Sequence, residues 1–260
     1  MNQINRAQTV SRPGAVLHDA VRPAWSAEVV SWLLGSPSHG LGLAVLDLGA
    51  GTGLGTRTIA SLGHAVTAVD TASDMLSVLR KACVELPPAV AARITSVSGS
   101  AERIPLEDQG VDAIVCLQAG HWVDPARAMV ECDRVLRKNG MVGLAWHTWD
   151  RTSAWVKALA AIVEPYGAPA DQTRSVPGEF AGRGSFERQD FPFTYELTVE
   201  QLVQLAGSWA FVAQRADQSA VLAGIRRLGE QAQSPDTGLV GFPHITAAFR
   251  LQRPGRGTEG

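Results

Sequence analysis

The feature that most limits what this chain can become is the stretch Val45-Leu-Asp-Leu-Gly-Ala-Gly-Thr-Gly53. It closes a continuous apolar run of strand length, Leu43–Leu48, with three glycines at alternate positions, and a helical pattern over Gly53–Leu62 follows. An apolar run without alternation is how a parallel strand reads when both of its faces are covered. Alternate glycines let the backbone turn sharply and let a ligand lie against it with no side chain between. In an open α/β sheet such a turn sits beyond the carboxyl ends of the strands, where ligands bind.

A buried parallel strand needs neighbours, and the sequence supplies them. Trp25, Val29, Val30, Leu33 and Leu34 give a helix over Ala24–Leu34, stopped by Gly35-Ser-Pro37. After the glycine turn come a strand at Ala65–Val69 ending in Asp70, and a helix capped by Ser73 that carries Leu76, Leu79 and Cys83 and stops at Pro87-Pro88. Further strands are expected at Ile94–Val97, Val111–Leu117 and Met141–Trp146, the last after Asn139-Gly140, with a helix over Pro125–Leu136. Strand and helix alternate, which predicts an α/β fold with a doubly wound, mostly parallel sheet.

Beyond residue 150 the pattern loosens. It predicts a helix over Ala154–Ile162, a Gly/Arg-rich loop at Gly178–Gly184, a strand over Phe186–Leu197 and a helix opened by the capping box Thr198-x-x-Gln201. A helix from about Asp217 to Leu228 and a last strand, His244–Leu251, complete it. No Pro/Gly/Ser-rich linker interrupts the series, so one domain is expected over 1–253, with a cofactor-binding core at 17–150, an inserted helical cap at about 198–230 and a disordered tail at 254–260.

Composition narrows the partners. Hydrophobic residues are 45% and charged residues 18%, a globular balance. Acidic residues outnumber basic ones 25 to 23, so nothing favours a nucleic acid or an anionic membrane. Cys83, Cys116 and Cys132 form no C-x-x-C pair and read as reduced thiols, with no metal site implied. Residues Met1–Val16 show no apolar leader core, and the apolar runs stop short of the ~20 residues of a membrane span, so a cytoplasmic protein is expected.

The glycine spacing selects the ligand class. A dinucleotide fingerprint requires G-x-G-x-x-G, but Leu54 stands in the sixth place after Gly49-x-Gly51 and Thr56 after Gly51-x-Gly53. Asp47 would repel a pyrophosphate and suits an ammonium group, and Asp70 at the next strand end suits the two hydroxyls of a ribose. The reading is a nucleoside ligand that carries an amine.

With these residues in place the chain resembles the class I S-adenosylmethionine-dependent methyltransferases, in particular the type 11 small-molecule branch. Five stretches carry the likeness in order: Val45–Gly53, Val69-Asp-Thr-Ala-Ser-Asp-Met75, Gly99-Ser-Ala-Glu-Arg-Ile-Pro105, Val111-Asp-Ala-Ile-Val115 and Arg134-Val-Leu-Arg-Lys-Asn-Gly140, with Arg22-Pro23 ahead of them. The resemblance implies a seven-stranded Rossmann-like sheet, S-adenosyl-L-methionine as cofactor and a small-molecule methyl acceptor. It implies that Asp47, Gly49, Ala50, Gly51, Thr52 and Gly53 hold the methionine part, Asp70 the ribose, and Thr71 and Met75 the adenine surroundings. Ser100, Ala101 and Glu102 fall at the adenine edge, and Leu117 and Gln118, ending the fourth strand, join the cofactor residues. The chain departs from the family at Ser100, where an Asp is usual, and at His18, where relatives often have a Tyr.

Methyl transfer from a sulfonium is an in-line displacement, so positioning dominates and a base is needed only for a hydroxyl or carbon acid. His121, after the fourth strand, is the candidate catalytic base; a packing or lid role beside Trp122 is the alternative. His18, Trp122, Trp146, His147 and Trp209, with Trp149 and Phe211 beside the last three, are candidate walls of an acceptor pocket. Arg183 and Arg188 read either as partners of an acceptor carboxylate or as solvated loop charges. The rival readings are a tRNA or protein methyltransferase and a cofactor-binding protein without transfer activity; an NAD-dependent reductase fails on glycine spacing and Asp47.

Overall fold

The computed structural model describes residues 12–35, 42–118, 125–163 and 185–252. Seven strands, β1 Ala44–Leu48, β2 Ala65–Asp70, β3 Ile94–Ser98, β4 Val111–Leu117, β5 Leu136–Trp149, β6 Glu187–Leu197 and β7 Val240–Gln252, form one sheet in the order β3-β2-β1-β4-β5-β7-β6. The pairs from β3 to β5 are parallel, and β7 runs antiparallel to both β5 and β6. The chain reverses its direction of travel across the sheet between β1 and β4, which opens a crevice at their carboxyl ends. The doubly wound, mostly parallel seven-stranded sheet expected from the sequence is the one observed.

The helices are α1 Arg12–Val21, α2 Ala27–Leu33, α3 Leu54–Ser61, α4 Ser73–Val84, α5 Pro88–Ala91, α6 Pro125–Val135, α7 Ala154–Val163, α8 Val199–Gly207, α9 Ala210–Ala213 and α10 Gln218–Ala232. Side chains alternate across each strand, so β1 divides its residues between two apolar layers. Leu46 and Leu48 pack with Met129, Cys132 and Val135 of α6. Val45 packs on the other face with Val29, Val30 and Leu33 of α2 and Ile59 and Ala60 of α3. Asp47 shares the parity of Val45 and is therefore carried beneath α3. Each fully buried Leu or Ile in these layers is worth roughly 1.5 to 3 kcal/mol against exposure.

A third apolar layer sits over the far end of the sheet. The last β4–β5 pair is Leu117 with Ala145, but β5 continues against β7 as far as Trp149 opposite His244. Val21 of α1, Leu159 of α7, Leu202 and Leu205 of α8, and Ile225 of α10 cover this overhang together with Phe242. The capping box expected at Thr198 is present: Gln201 N–H donates to the Thr198 hydroxyl at 3.1 Å, and the Gln201 side chain accepts from Thr198 N–H at 2.9 Å.

Several boundaries differ from the sequence reading. Ser73 is the first helical residue of α4 and makes no capping bond; Ala72 is the N-cap, and its N–H donates to Asp70 Oδ1 at 2.8 Å. The helix ends at Val84, before the prolines, and Pro88 opens α5 at its first position, where a missing N–H costs nothing. β5 is much longer than Met141–Trp146. Its register against β4 jumps from Val111–Leu136 to Ala113–Met141, and the bulge is turned by Asn139 at φ 62°. β7 likewise begins at Val240, and the short helix α9 has no helical period to announce it. The Gly/Arg-rich loop at 178–184, with Arg183, and the tail at 254–260 lie outside the described residues.

Candidate functional site

The crevice is built on two carboxylates at neighbouring strand ends. Asp47, at the end of β1, is 1% exposed and accepts a hydrogen bond from the Thr56 hydroxyl on Oδ2 at 2.6 Å. Its other oxygen, Oδ1, is buried without a protein partner. Burial pushes its pKa up from 3.8 to about 6; the Thr56 bond opposes that shift and the charge of Asp70 adds to it. Asp70, at the end of β2, accepts from Gly51 N–H on Oδ2 and from Ala72 N–H on Oδ1, both at 2.8 Å.

Between them the glycine turn is pinned by its backbone. Gly49 and Ala50 both donate to Val69 O, at 2.8 and 3.1 Å, and Gly53 N–H donates to Ala50 O at 2.9 Å. Gly49, Gly51 and Gly53 all lie at positive φ, 75°, 57° and 82°, which is why three glycines are required. A Cβ on Gly51 would meet nothing within 4 Å, so this residue faces open space. A Cβ on Gly55 would instead lie 2.3 Å from Leu117 Cδ1; its absence lets α3 settle on the end of β4. Arg57 ties the turn to α1, donating to Thr52 O at 3.0 Å and pairing with Asp19 at 2.9 Å.

On the β3 side, Gly99 N–H donates to Asp70 O at 3.1 Å, which carries the Ser100–Arg103 bridge against the end of β2. Ser100 and Glu102 are half-buried there, whereas Ala101 is buried in the α6-side core. Thr71 is exposed beside the Asp70 turn, and Met75 is half-buried on the first turn of α4. On the β4 side, Gln118 sits at φ 60°, an uncommon conformation for a residue with a side chain. It bridges two strand ends: its N–H donates to Ala145 O at 2.9 Å and its Oε1 accepts from His147 N–H at 2.8 Å.

The acceptor candidates separate by strand parity. His147 faces the α2 side, stacks on Trp25 with ring centroids 3.9 Å apart, and pairs its Nδ1 with the Thr246 hydroxyl at 2.9 Å. Trp146 faces the opposite way, packed against Phe249 in the α6-side core, and so cannot share a wall with His147. Trp209, expected in the wall of an acceptor pocket, is 5% exposed and packs within the helical layer, stacked on Phe211 and tilted at 45° against Trp149. Packing holds both tryptophans, Trp146 in the α6-side core and Trp209 in the helical layer that closes the overhang. His18 lies on α1 with its Nδ1 buried and unpartnered, and burial with the Arg22 charge pushes its pKa down to about 4. His121 and Trp122 lie outside the described residues.

The chain is similar to proteins described as methyltransferases. A family model described as a methyltransferase domain matches residues 46–144. An uncharacterized methyltransferase of Mycobacterium tuberculosis is 40% identical over 190 residues, covering 73% of this chain and 72% of that protein. A second, from Schizosaccharomyces pombe, is 32% identical over 245 residues, 91% of this chain and 94% of its own. A structure described as a type II methyltransferase from Anaeromyxobacter dehalogenans superposes with a TM-score of 0.69 at 19% identity, over 90% of this chain and 99% of that one, which speaks to the fold. The chain belongs to the class I S-adenosylmethionine-dependent methyltransferases.

The methyltransferase's own residues suit that cofactor. An unpartnered carboxylate oxygen on Asp47, a buried unpartnered Thr52 hydroxyl and the open space over Gly51 leave unsatisfied polar groups around a backbone that a ligand can approach. Sequence reasoning assigns site roles to Asp47, the glycines and Asp70 but none to Thr56, Gly55, Asp19 or Arg57. For Thr56 the available signal was its place one turn into α3, facing back over the strand end. For Asp19 and Arg57 no signal existed, since 38 residues separate the partners.

Proposed function

We propose that this methyltransferase acts on a small-molecule acceptor at the carboxyl edge of β4 and β5, in the cytoplasm, and that the crevice residues hold its cofactor. The observation that carries the reading is the buried Asp47 carboxylate with its free Oδ1 beneath the glycine turn, a site made for an ammonium group. In this reading Asp47 Oδ1 accepts from the amine of the methionine part, and the Gly49–Gly53 backbone lies along it. Asp70 keeps one backbone donor on each oxygen and uses its remaining lone pairs for the ribose hydroxyls. Thr71, Met75, Ser100, Ala101 and Glu102 border the adenine, and Leu117 and Gln118 close the methyl side.

When bound, S-adenosylmethionine supplies an electrophilic methyl group on a sulfonium. The chain's task is then alignment and exclusion of water. Gln118 fixes the spacing of the β4 and β5 ends. His147, whose pKa burial and the His244 and Arg22 charges push down to about 3, is too weak a base to take a proton at neutral pH and serves to position. A small acceptor is further supported by the balanced charge of the chain and by a relative, the ubiquinone biosynthesis O-methyltransferase of Xanthomonas oryzae, 34% identical over 158 residues, 60% of this chain and 59% of that one. Among the described residues no helix is long and apolar enough to cross a membrane.

The test is a melting-temperature titration. S-adenosylhomocysteine should raise the melting point by mass action, and NADH should not; the reverse result refutes the cofactor site. Incubation with methyl-labelled cofactor and, in separate reactions, a metabolite extract, tRNA and a protein fraction then decides the acceptor class. Label in the metabolite fraction supports the proposal, and label in either polymer overturns it.

A further inference from the structure

Arg134 opens one of the five stretches that carry the family likeness, yet it stands outside the crevice. It lies on the last turn of α6, two residues before Leu136, which pairs with Val111 at the start of β4. That turn therefore adjoins the amino ends of the strands, whereas Asp47 and Asp70 stand at the carboxyl ends.

What Arg134 holds is the connection from β3 to β4. These strands are parallel and are separated in the sheet by β2 and β1, so residues 99–110 must travel from the carboxyl end of one to the amino end of the other, and they do so without a helix. Such a connection has to find partners for its backbone elsewhere. Two side chains of α6 supply them. Ile104 N–H donates to Glu131 Oε2 at 2.8 Å, while Arg134 donates from Nη2 to Ile104 O at 2.9 Å and from Nη1 to Leu106 O at 2.7 Å. Arg134 Nε and Nη2 also donate to the two oxygens of Glu131, both at 2.8 Å, and Nη1 donates to Asp108 Oδ1 at 2.9 Å. All five N–H donors of the guanidinium are thereby used. Its bond to Glu131 holds that carboxyl below the usual carboxylate range, so the pair stays ionised at neutral pH.

The grip reaches the crevice through Pro105, which sits between the two held carbonyls. A Cβ on Gly99 would lie 2.7 Å from Pro105 Cδ and 2.9 Å from its Cγ, so the proline is seated directly on that glycine. Gly99 N–H in turn donates to Asp70 O at 3.1 Å, and Arg103 N–H donates to Ser100 O at 3.2 Å to close the turn that follows. Ala101, within that turn, is buried in the same core as Met129 and Cys132 of α6.

We infer that Arg134, braced by Glu131, is a positioning residue for recognition of the cofactor's base: it fixes Ile104 and Leu106 so that Pro105 seats on Gly99 and the Ser100–Glu102 turn meets the adenine edge in one geometry. The inference rests on the assignment of that turn to adenine in the proposed function and deepens it. The role needs an arginine, because a planar fork reaches two carbonyls and a carboxylate at once and the single nitrogen of a lysine does not.

The test is calorimetric titration with S-adenosylhomocysteine and S-inosylhomocysteine, which differ at the base edge by an exocyclic amine against a carbonyl oxygen. The wild-type protein should prefer the adenosyl ligand by at least about tenfold. Arg134→Met should weaken the adenosyl ligand about tenfold and the inosyl ligand less than about threefold, so that the preference collapses. A merely structural arginine would weaken both ligands alike and leave the preference intact, which would overturn the inference. Glu131→Gln keeps an acceptor for Ile104 N–H and loses the ion pair; it should lower the preference at least about threefold, and it decides the matter if Arg134→Met fails to fold. Arg137→Met serves as the control, since Arg137 binds Gln109 O at 3.1 Å and Asp112 Oδ1 at 2.6 Å at the far end of the same connection. Its preference should equal that of the wild type, and an equal collapse there would also overturn the inference. Wild-type protein that binds both ligands equally well refutes the adenine assignment of the turn and the positioning role with it, whereas failure of both to bind refutes the cofactor site itself.

Discussion

Replacing Asp47 with Asn should make the ligand-free protein more stable at neutral pH and, at the same time, poorer at binding its cofactor. The folded protein holds the Asp47 carboxyl at about 6 against an ordinary value of 3.8. A folded pKa raised above the unfolded one means that the ionised form opposes folding: the full stability is present below pH 3.8 and is lost as pH rises through about 6. The difference of 6 − 3.8 = 2.2 units corresponds to about 3 kcal/mol at neutral pH, an upper figure since Asn still leaves an amide N–H unpartnered. Asp47→Asn should therefore gain about 1 to 3 kcal/mol above pH 7, or roughly 2 to 4 °C of melting temperature per kcal/mol, with the gain vanishing near pH 4. Losing a charge-assisted contact to the ammonium should weaken S-adenosylhomocysteine by about 1.5 to 3 kcal/mol, tenfold or more. Because an ammonium favours the carboxylate, binding to the wild-type protein near pH 6 should release about half a proton, and close to none at pH 7.5. Calorimetry in two buffers of different ionisation enthalpy reads this directly. A mutant less stable than wild type at pH 7.5, or one that binds the ligand equally well, would refute the assignment of Asp47 as a desolvated carboxylate awaiting a cation.

The other expectations test neighbouring parts of the molecule. Gly51→Val adds a side chain where nothing lies within 4 Å; it should cost about 1 to 2 kcal/mol of stability for its left-handed backbone and weaken S-adenosylhomocysteine by more than about tenfold, read by fluorimetric melting with and without ligand. Trp209→Ala removes a side chain that is 5% exposed within an aromatic stack, so denaturant unfolding should show a loss of about 3 to 5 kcal/mol with cofactor affinity per folded molecule unchanged. Gln118→Gly relieves the strain of φ 60° but deletes the bond to His147 N–H. Its stability should stay within about 1 kcal/mol of wild type while methyl transfer to the identified acceptor falls about tenfold or more through misalignment.

What the sequence determined by itself was whatever depends on a few consecutive residues. The alternation of apolar strands and amphipathic helices gives the parallel sheet, because period and length are local properties. Asp47, the three glycines and Asp70 were legible for the same reason: a strand end, a turn at positive φ and a second strand end are each written within a handful of positions. Only the tertiary structure decided which side chains meet. Strand parity alone sends the neighbours Trp146 and His147 to opposite faces, but the packing of the helices decides which face is the α6-side core and which meets Trp25. Trp209 becomes core because β5, β6 and β7 overhang β4 and the helical layer must fill the space above them. The cluster at the end of α1 joins Val21 O to the Tyr195 hydroxyl of β6, 174 positions away in the chain, and packs Val21 in one apolar layer with Phe242 of β7. Such a cluster leaves no local pattern, since its residues are brought together by strand order and by the crossovers that place α1 over the sheet, and neither is a property of any short stretch of sequence.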